Sequence, residues 1–281
     1  MDVTTFSFDC TEQKDFYFLL ASDLHIGDRL FDKKRFKQDF DEALKKGARI
    51  YIIGDIMRLI TVMDKKRYTR DEGKEKRHTV VDENIFEAAE MLYPYANNID
   101  LIGSGNHETA IQKYSGTDPI LWLLQLLNEK RDKKKYGLIK HGGYTGFIKQ
   151  YYRYGEGHTR NYVIWYNHGT GRGGEVTGDM IALNRRKVYI DASLLWMGHT
   201  HHYQFDGNGD ILYLDRSDRI CIKHRRGLVT GCYTKQFEQT DSTNGYRLNY
   251  GEQTSRRLQA QGGAFLWHHI GEEIETKFIL S

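Results

Sequence analysis

The most constraining feature of this chain is a recurring junction in which a short apolar run stops abruptly at an acid or an imidazole. Phe16-Tyr17-Phe18-Leu19-Leu20-Ala21-Ser22 ends in Asp23-Leu24-His25, and Arg49-Ile50-Tyr51-Ile52-Ile53 runs into Gly54-Asp55. Ile99-Asp100-Leu101-Ile102 leads in the same way to Gly103-Ser104-Gly105-Asn106-His107-Glu108. Runs of this length without polar alternation are expected to be strands buried on both faces. Between them, Phe36, Phe40, Ala43 and Leu44 fall on one helical face, with Gly47 as the stop. Asn84 to Tyr95 and Asp118 to Asn128 also predict helices, the second with Pro119 in its first turn. The first half therefore reads as strand–helix–strand.

From Phe147 onward, Tyr, Val and Ile alternate with polar residues, notably through Tyr151-Tyr152 and Tyr162-Val163-Ile164-Trp165-Tyr166. Ile211-Leu212-Tyr213, Ile220-Cys221-Ile222 and Glu273 to Leu280 add further strand candidates, so this half is expected to be strands joined by turns. No repeat and no low-complexity linker divides the 281 residues. One catalytic domain over 1–281 is expected, with 206–281 as a strand-rich C-terminal part of it.

Composition narrows the class only a little. The charge is balanced, with a net +3, which permits a polyanionic partner without requiring one. Cys10, Cys221 and Cys232 form no CxxC pair, so neither a disulfide framework nor a thiolate zinc site is expected. The start of the chain is acidic, and no apolar stretch has membrane-spanning length. A cytoplasmic protein without membrane contact is the expectation.

The polar residues at the strand ends carry the chemistry. Asp23, His25, Asp55, Asn106 and His107 each follow an apolar run within a few residues, His168 follows Tyr162–Tyr166, and His199 and His201 follow Leu194–Met197. In an α/β sheet such ends converge on one edge, where ligands bind. Carboxylates, imidazoles and an amide without thiolate suit divalent first-row metals such as Mn, Fe or Zn. Even with His107 set aside, the seven remaining donors over-supply one centre and suffice for two, and a carboxylate is best able to bridge them.

The ordered motifs Asp23-Leu24-His25, Gly54-Asp55, Gly105-Asn106-His107-Glu108, Asn167-His168-Gly169 and Gly198-His199-Thr200-His201 resemble those of the calcineurin-like metallophosphoesterase superfamily. The resemblance covers residues 16–205, about two-thirds of the chain. It implies a four-layer α/β/β/α sandwich of two mixed sheets flanked by helices. By position it also implies that Asp23, His25 and His201 hold one metal, that Asn106, His168 and His199 hold a second, and that Asp55 bridges. His107 matches the histidine that touches the phosphoryl group or protonates the leaving oxygen. The cofactors implied are two divalent ions, Mn first, with Fe, Zn, Ni or Co as alternatives. The implied reaction is in-line attack by a hydroxide bridging cations roughly 3.5 Å apart.

One departure stands out. Many members continue the second motif to a second acid that orients the catalytic histidine, and here that position is Arg58. Either Glu108 or another carboxylate supports His107, or its protonating role is weaker than usual. Taken singly, every motif has an ordinary reading: Asp23 as a helix cap, Gly54-Asp55 as a turn, Asn106-His107 as a loop. Those readings give no reason for the motifs to occur together, in order, at strand ends. His202, directly after the last motif, is expected at the surface, with a place behind the metal ligands as the alternative, and His141, His158, His268 and His269 are expected to be structural or solvent-facing. Arg172, in Gly171-Arg172-Gly173-Gly174, is a candidate phosphate contact.

Substrate class rests on weaker signals. Asp23-Leu24-His25-Ile26-Gly27 is similar to the opening of nuclease-type members, so a phosphodiester is expected, either a nucleotide derivative or DNA or RNA. Two basic stretches, Arg58 to Arg77 and Arg216 to Arg226, are candidates for a rim that guides a polyanion, against the ordinary reading of solvated loops. The alternatives are a phosphomonoesterase, including a protein phosphatase, and an inactive scaffold that uses the sandwich for protein contacts. Thr109-Ala110-Ile111 departs from the arginine pattern that follows this motif in protein phosphatases.

Overall fold

The computed structural model describes residues 1–60, 80–154, 157–169, 178–237, 258 and 260–280. In chain order its elements begin with β1 (Asp2–Asp9), β2 (Asp15–Ser22), α1 (Lys33–Lys45), β3 (Arg49–Ile53), α2 (Val80–Leu92), β4 (Ile99–Gly103) and α3 (Asn106–Ser115). There follow α4 (Pro119–Lys130), α5 (Lys133–Tyr136), β5 (Lys140–Gly143), β6 (Thr145–Tyr154), β7 (His158–Asn167) and α6 (Gly178–Lys187). The chain continues through β8 (Leu194–Met197), β9 (Gln204–Asp206), β10 (Ile211–Leu214), β11 (Ile220–Lys223), β12 (Arg226–Val229), β13 (Ala264–Ile270) and β14 (Ile274–Leu280).

Two six-stranded mixed sheets result, in the orders β14-β13-β2-β3-β4-β5 and β1-β6-β7-β8-β12-β9. The apolar runs at Phe16, Arg49 and Ile99 become the parallel strands β2, β3 and β4. They lack alternation because both faces are covered. On β3, Ile50 and Ile52 pack under α1, α2 and α4 with Phe36, Phe40 and Ile85. Tyr51 and Ile53 point the other way, into a core shared with Ile148, Tyr166 and Trp196 of the second sheet. Behind that second sheet, Trp165, Leu195 and Val229 meet Leu183 of α6. The layers are thus helix, sheet, sheet, helix, the sandwich that the motif resemblance implies.

Local chemistry fixes the helix starts. Asp118 caps α4 by accepting from the N–H groups of Ile120 and Leu121, with Pro119 in its first turn. Asp32 caps α1 through the N–H of Arg35. Strand β1, which the sequence reading leaves unassigned, alternates by burial, and its Phe6 and Phe8 stack on Tyr51 and Tyr152 with centroids 5.4 Å apart in both pairs. Among the described residues no helix is long and apolar enough to cross a membrane.

His268 of β13 is a structural histidine, as expected. It is fully buried, with Nδ1 2.7 Å from Tyr152 Oη, and burial pushes its imidazole down to about 3 from an ordinary 6.5. Between those values the unfolded chain binds a proton that the native chain excludes. Stability is therefore lost as pH falls from about 6.5 towards 3, by up to about 1.4 kcal/mol per pH unit. In melting curves taken from about pH 7 to about pH 4.5, His268→Phe is expected to lose less stability on acidification than the wild type. Parallel slopes would show that His268 contributes nothing to the acid sensitivity.

Candidate metal centre

Strands from both sheets deliver donors to one rim. Asp23 and His25 follow β2, Asp55 follows β3, and Asn106 and His107 form the first turn of α3 just beyond β4. From the second sheet, His168 follows β7, and His199 and His201 follow β8. The loops continue the sheet ladder for a few residues, with Asp23 N–H donating to the Gly54 carbonyl and His25 N–H to that of Asp55, both at 3.0 Å. Seven described non-glycine residues have a left-handed φ, and five are Asp23, His25, Asp55, His199 and His201, at 49° to 73°. Such conformations cost on the order of 1 kcal/mol or more each and persist where the surroundings over-determine them, commonly at functional sites.

Two glycines make room for this convergence. A Cβ on Gly54 would lie 2.0 Å from His168 Nδ1, and one on Gly105 would lie 2.2 Å from Asp55 Oδ1. Each motif glycine thus clears space for a donor carried by a different motif.

Three donor groups result, each with its ligand atoms within 4.8 Å of one another: Asp23, His25 and His201; His25, Asp55 and His107; and Asp55, His168 and His199. His25 is shared by the first two groups and Asp55 by the last two. Asn106 joins the third through its Oδ1, 3.2 Å from His168 Nε2. His25 and His201 face each other with their Nε2 atoms 3.0 Å apart. Arg172 lies outside the described residues, as does most of the first basic stretch.

The fit to cations can be tested on Asp23. Its Oδ2 is satisfied by Ser22 Oγ at 2.5 Å and the His199 N–H at 2.9 Å. Its Oδ1 is fully buried and makes no hydrogen bond of acceptable geometry. Three imidazole nitrogens surround that oxygen: His201 Nε2 at 3.4 Å, and His25 and His168 Nε2 at 4.0 Å. A buried carboxylate oxygen left bare among converging lone-pair donors is a costly arrangement that a divalent cation resolves. Two more groups show the same electrostatic demand. Although burial opposes it, Asp55 and Asp23 lift the His168 imidazole to about 9. Burial likewise opposes the ionisation of Asp55, yet His168 and His107 hold its carboxyl well below the usual range. The donor set fits divalent-cation binding.

The support for His107 differs from expectation. Glu108 does not reach it. The Glu108 carboxylate, fully buried, accepts from four backbone N–H groups: Asp55 at 3.0 Å, Ile56 at 2.8 Å, Met57 at 3.0 Å and Gly105 at 2.8 Å. It therefore clamps the loop after β3 to the start of α3. The partner of His107 Nδ1 is the backbone carbonyl of Arg58. A carbonyl only accepts, so Nδ1 carries the proton and Nε2 is aimed at the centre, 3.8 Å from Asp55 Oδ2. The Arg58 side chain turns away to Asp28, 2.5 Å from its Oδ2.

Other residues near the site were not legible in advance. Ser22 Oγ lies 2.7 Å from Thr230 Oγ1, which also accepts from Trp196 Nε1 at 3.0 Å, so a chain of bonds fixes Asp23 from behind. His202, expected at the surface, is instead buried with its Nδ1 2.8 Å from Asp179 Oδ2 of α6. Cys232 is buried beside His201, and although burial opposes it, that imidazole draws the thiol below its ordinary value. No sequence signal marks Thr230 or Cys232, because both reach the site only through the return of β12.

No protein-family model matches the chain, and no curated protein matches it. Solved structures do. A single mutant of Vps29 from Entamoeba histolytica is 14% identical, with 94% of this chain and 98% of that one covered and a TM-score of 0.37. A metallophosphoesterase from Sphaerobacter thermophilus is 14% identical over 94% and 88%, with a TM-score of 0.35. The calcineurin-like phosphoesterase YfkN from Bacillus subtilis is 8% identical over 94% and 90%, with a TM-score of 0.44. In its own layered fold and in the order of its donor motifs, this chain is similar to the calcineurin-like metallophosphoesterase superfamily.

Proposed function

We propose that the chain is a metal-dependent phosphoesterase that prefers phosphodiesters. The observation that carries this reading is the bare, buried Asp23 Oδ1 ringed by three imidazole nitrogens, in a run of three donor groups linked by His25 and Asp55. Divalent cations held there would polarise a phosphoryl oxygen and bring the pKa of a bound water toward neutrality. Asp23, His25 and His201 would hold one cation, and His168, His199 and Asn106 the other, with Asp55 shared. His107 Nε2, aimed inward by the Arg58 carbonyl, is placed to meet negative charge on the phosphoryl group or to hand a proton to the leaving oxygen. The N-terminus of α3, where the His107 N–H donates to Asp55 Oδ1 at 3.0 Å, adds positive potential at the same point.

Support for a diester comes from the Asp23-Leu24-His25-Ile26-Gly27 opening and from the lack of a phosphatase-type arginine after Glu108. The basic stretch from Arg216 to Arg226 does not add to it. That stretch lies at the far end of the second sheet: Arg226 pairs with Leu194 at the start of β8, whereas the donors follow its end at Met197. Its cations face aspartates: Arg219 with Asp215 at 2.8 Å, Lys223 with Asp191 at 2.5 Å and Arg226 with Asp210 at 2.6 Å. Contrary to the expectation of a guiding rim, this stretch stands away from the donors.

The test is a parallel panel on Mn-loaded protein: a diester dye, a monoester dye, and single- and double-stranded DNA and RNA. Turnover of the diester above the monoester supports the reading. Turnover of the monoester alone would establish a phosphomonoesterase, and activity on dyes but on no polynucleotide would exclude a nuclease.

A further inference from the structure

The hairpin β10–β11 pairs antiparallel and belongs to neither large sheet. Leu212 lies opposite Ile222 and Leu214 opposite Ile220, so all four aliphatic side chains share one face. They are 58–76% exposed. The other face, with Tyr213 opposite Cys221, is more covered. A two-stranded ribbon with a bare aliphatic face is marginal in water and needs a cover. The hairpin joins β9 to β12, and Asp206 pairs with Gly227, so it projects from the end of the sheet remote from the donors. Val188 and Tyr189, strongly exposed, follow α6 at the same end, where the Lys187 carbonyl accepts from Arg225.

We propose that this face is a self-association surface whose occupant is a second copy of the chain, related by a two-fold axis. Two observations select that occupant. The six side chains present on the order of 700 Å² of mostly apolar surface, close to the roughly 800 Å² that one partner contributes to a standard interface. The rim carries both signs, with Arg219, Lys223, Arg225 and Arg226 set against Asp215, Asp191 and Asp210. A uniformly acidic or basic partner gains nothing there, whereas an identical rim turned through a two-fold axis can match its own charges. The charged turn Asp215-Arg216-Ser217-Asp218 at the hairpin tip also disfavours burial in lipid. Both metal centres stay open in such a dimer. The inference is independent of the hydrolytic reading.

Sedimentation of the full chain at about 50 μM tests it. The wild type is expected to run as a dimer, and Leu212→Glu with Ile220→Glu as a monomer, self-association weakening by at least about a hundredfold because buried carboxylates would lack partners. Leu121→Glu, on the exposed face of α4, should remain dimeric, and unchanged circular dichroism would show that each variant is folded. If the charged pair perturbs folding, Ile220→Ser gives the same comparison with a milder change. A monomeric wild type, a charged variant that still dimerises, or a monomer that binds phosphatidylcholine vesicles through this face would each overturn the proposal.

Discussion

Asp55→Ala is expected to leave a folded protein that retains little metal and loses roughly three orders of magnitude in turnover. That loss corresponds to about 4 kcal/mol of transition-state stabilisation, within the several kcal/mol that a cation supplies. The magnitude follows from position. Asp55 is the carboxylate common to two of the three donor groups, reaching His168 Nε2 at 3.2 Å and His107 Nε2 at 3.8 Å. Removing it takes a ligand from both expected cations and leaves His168 without its nearest anion. Its backbone is held independently by Glu108 and by the His25 N–H, so the loop has reason to stay in place. Metal content by mass spectrometry, beside circular dichroism, checks the result. A folded Asp55→Ala protein with wild-type metal content would remove Asp55 from the ligand set.

His107→Ala is expected to behave differently, keeping most of the metal while turnover falls by about 10²–10⁴, the range of general acid catalysis. Its Nδ1–H is committed to the Arg58 carbonyl, so only Nε2 faces the centre. A neutral carbonyl stabilises an imidazolium less than a carboxylate would, and Arg58 stands where many superfamily members place an acid. If His107 acts as the acid, the variant should lose more on an alkyl diester than on a diester with an activated aryl leaving group. Equal losses on both would assign His107 to charge stabilisation alone. Metal loss equal to that of Asp55→Ala would make His107 a ligand, a role its 4.8 Å grouping with His25 and Asp55 permits.

Much of the sandwich was legible because its central strands are simple. β3 needs nothing beyond Arg49–Ile53 to be recognised, since an unbroken apolar run ending in Gly54-Asp55 leaves few alternatives. β13 was missed because Ala264–Ile270 contains two histidines, one buried through Tyr152, a residue distant in sequence. The start of α3 at Asn106 was hidden for a related reason. Gly105-Asn106-His107 reads as a loop until Glu108 is seen bonded back to the Gly105 N–H. The donors could be named because they are chemistry-bearing residues at strand ends, whereas their left-handed backbone could not, since φ at Asp23 or His201 is imposed by the partners around it. Charge misled at Arg216–Arg226, where composition shows the cations but not the aspartates 191, 210 and 215 that fold against them. The role of Glu108 stayed open in the sequence because the four N–H groups it serves belong to backbone that sequence does not place.

The most direct test of the dinuclear reading is the metal content of the full chain after loading with Mn and removal of free ion. About two divalent ions per chain are expected, falling together when Asp23 or Asp55 is replaced. A folded chain that takes up none would contradict that reading.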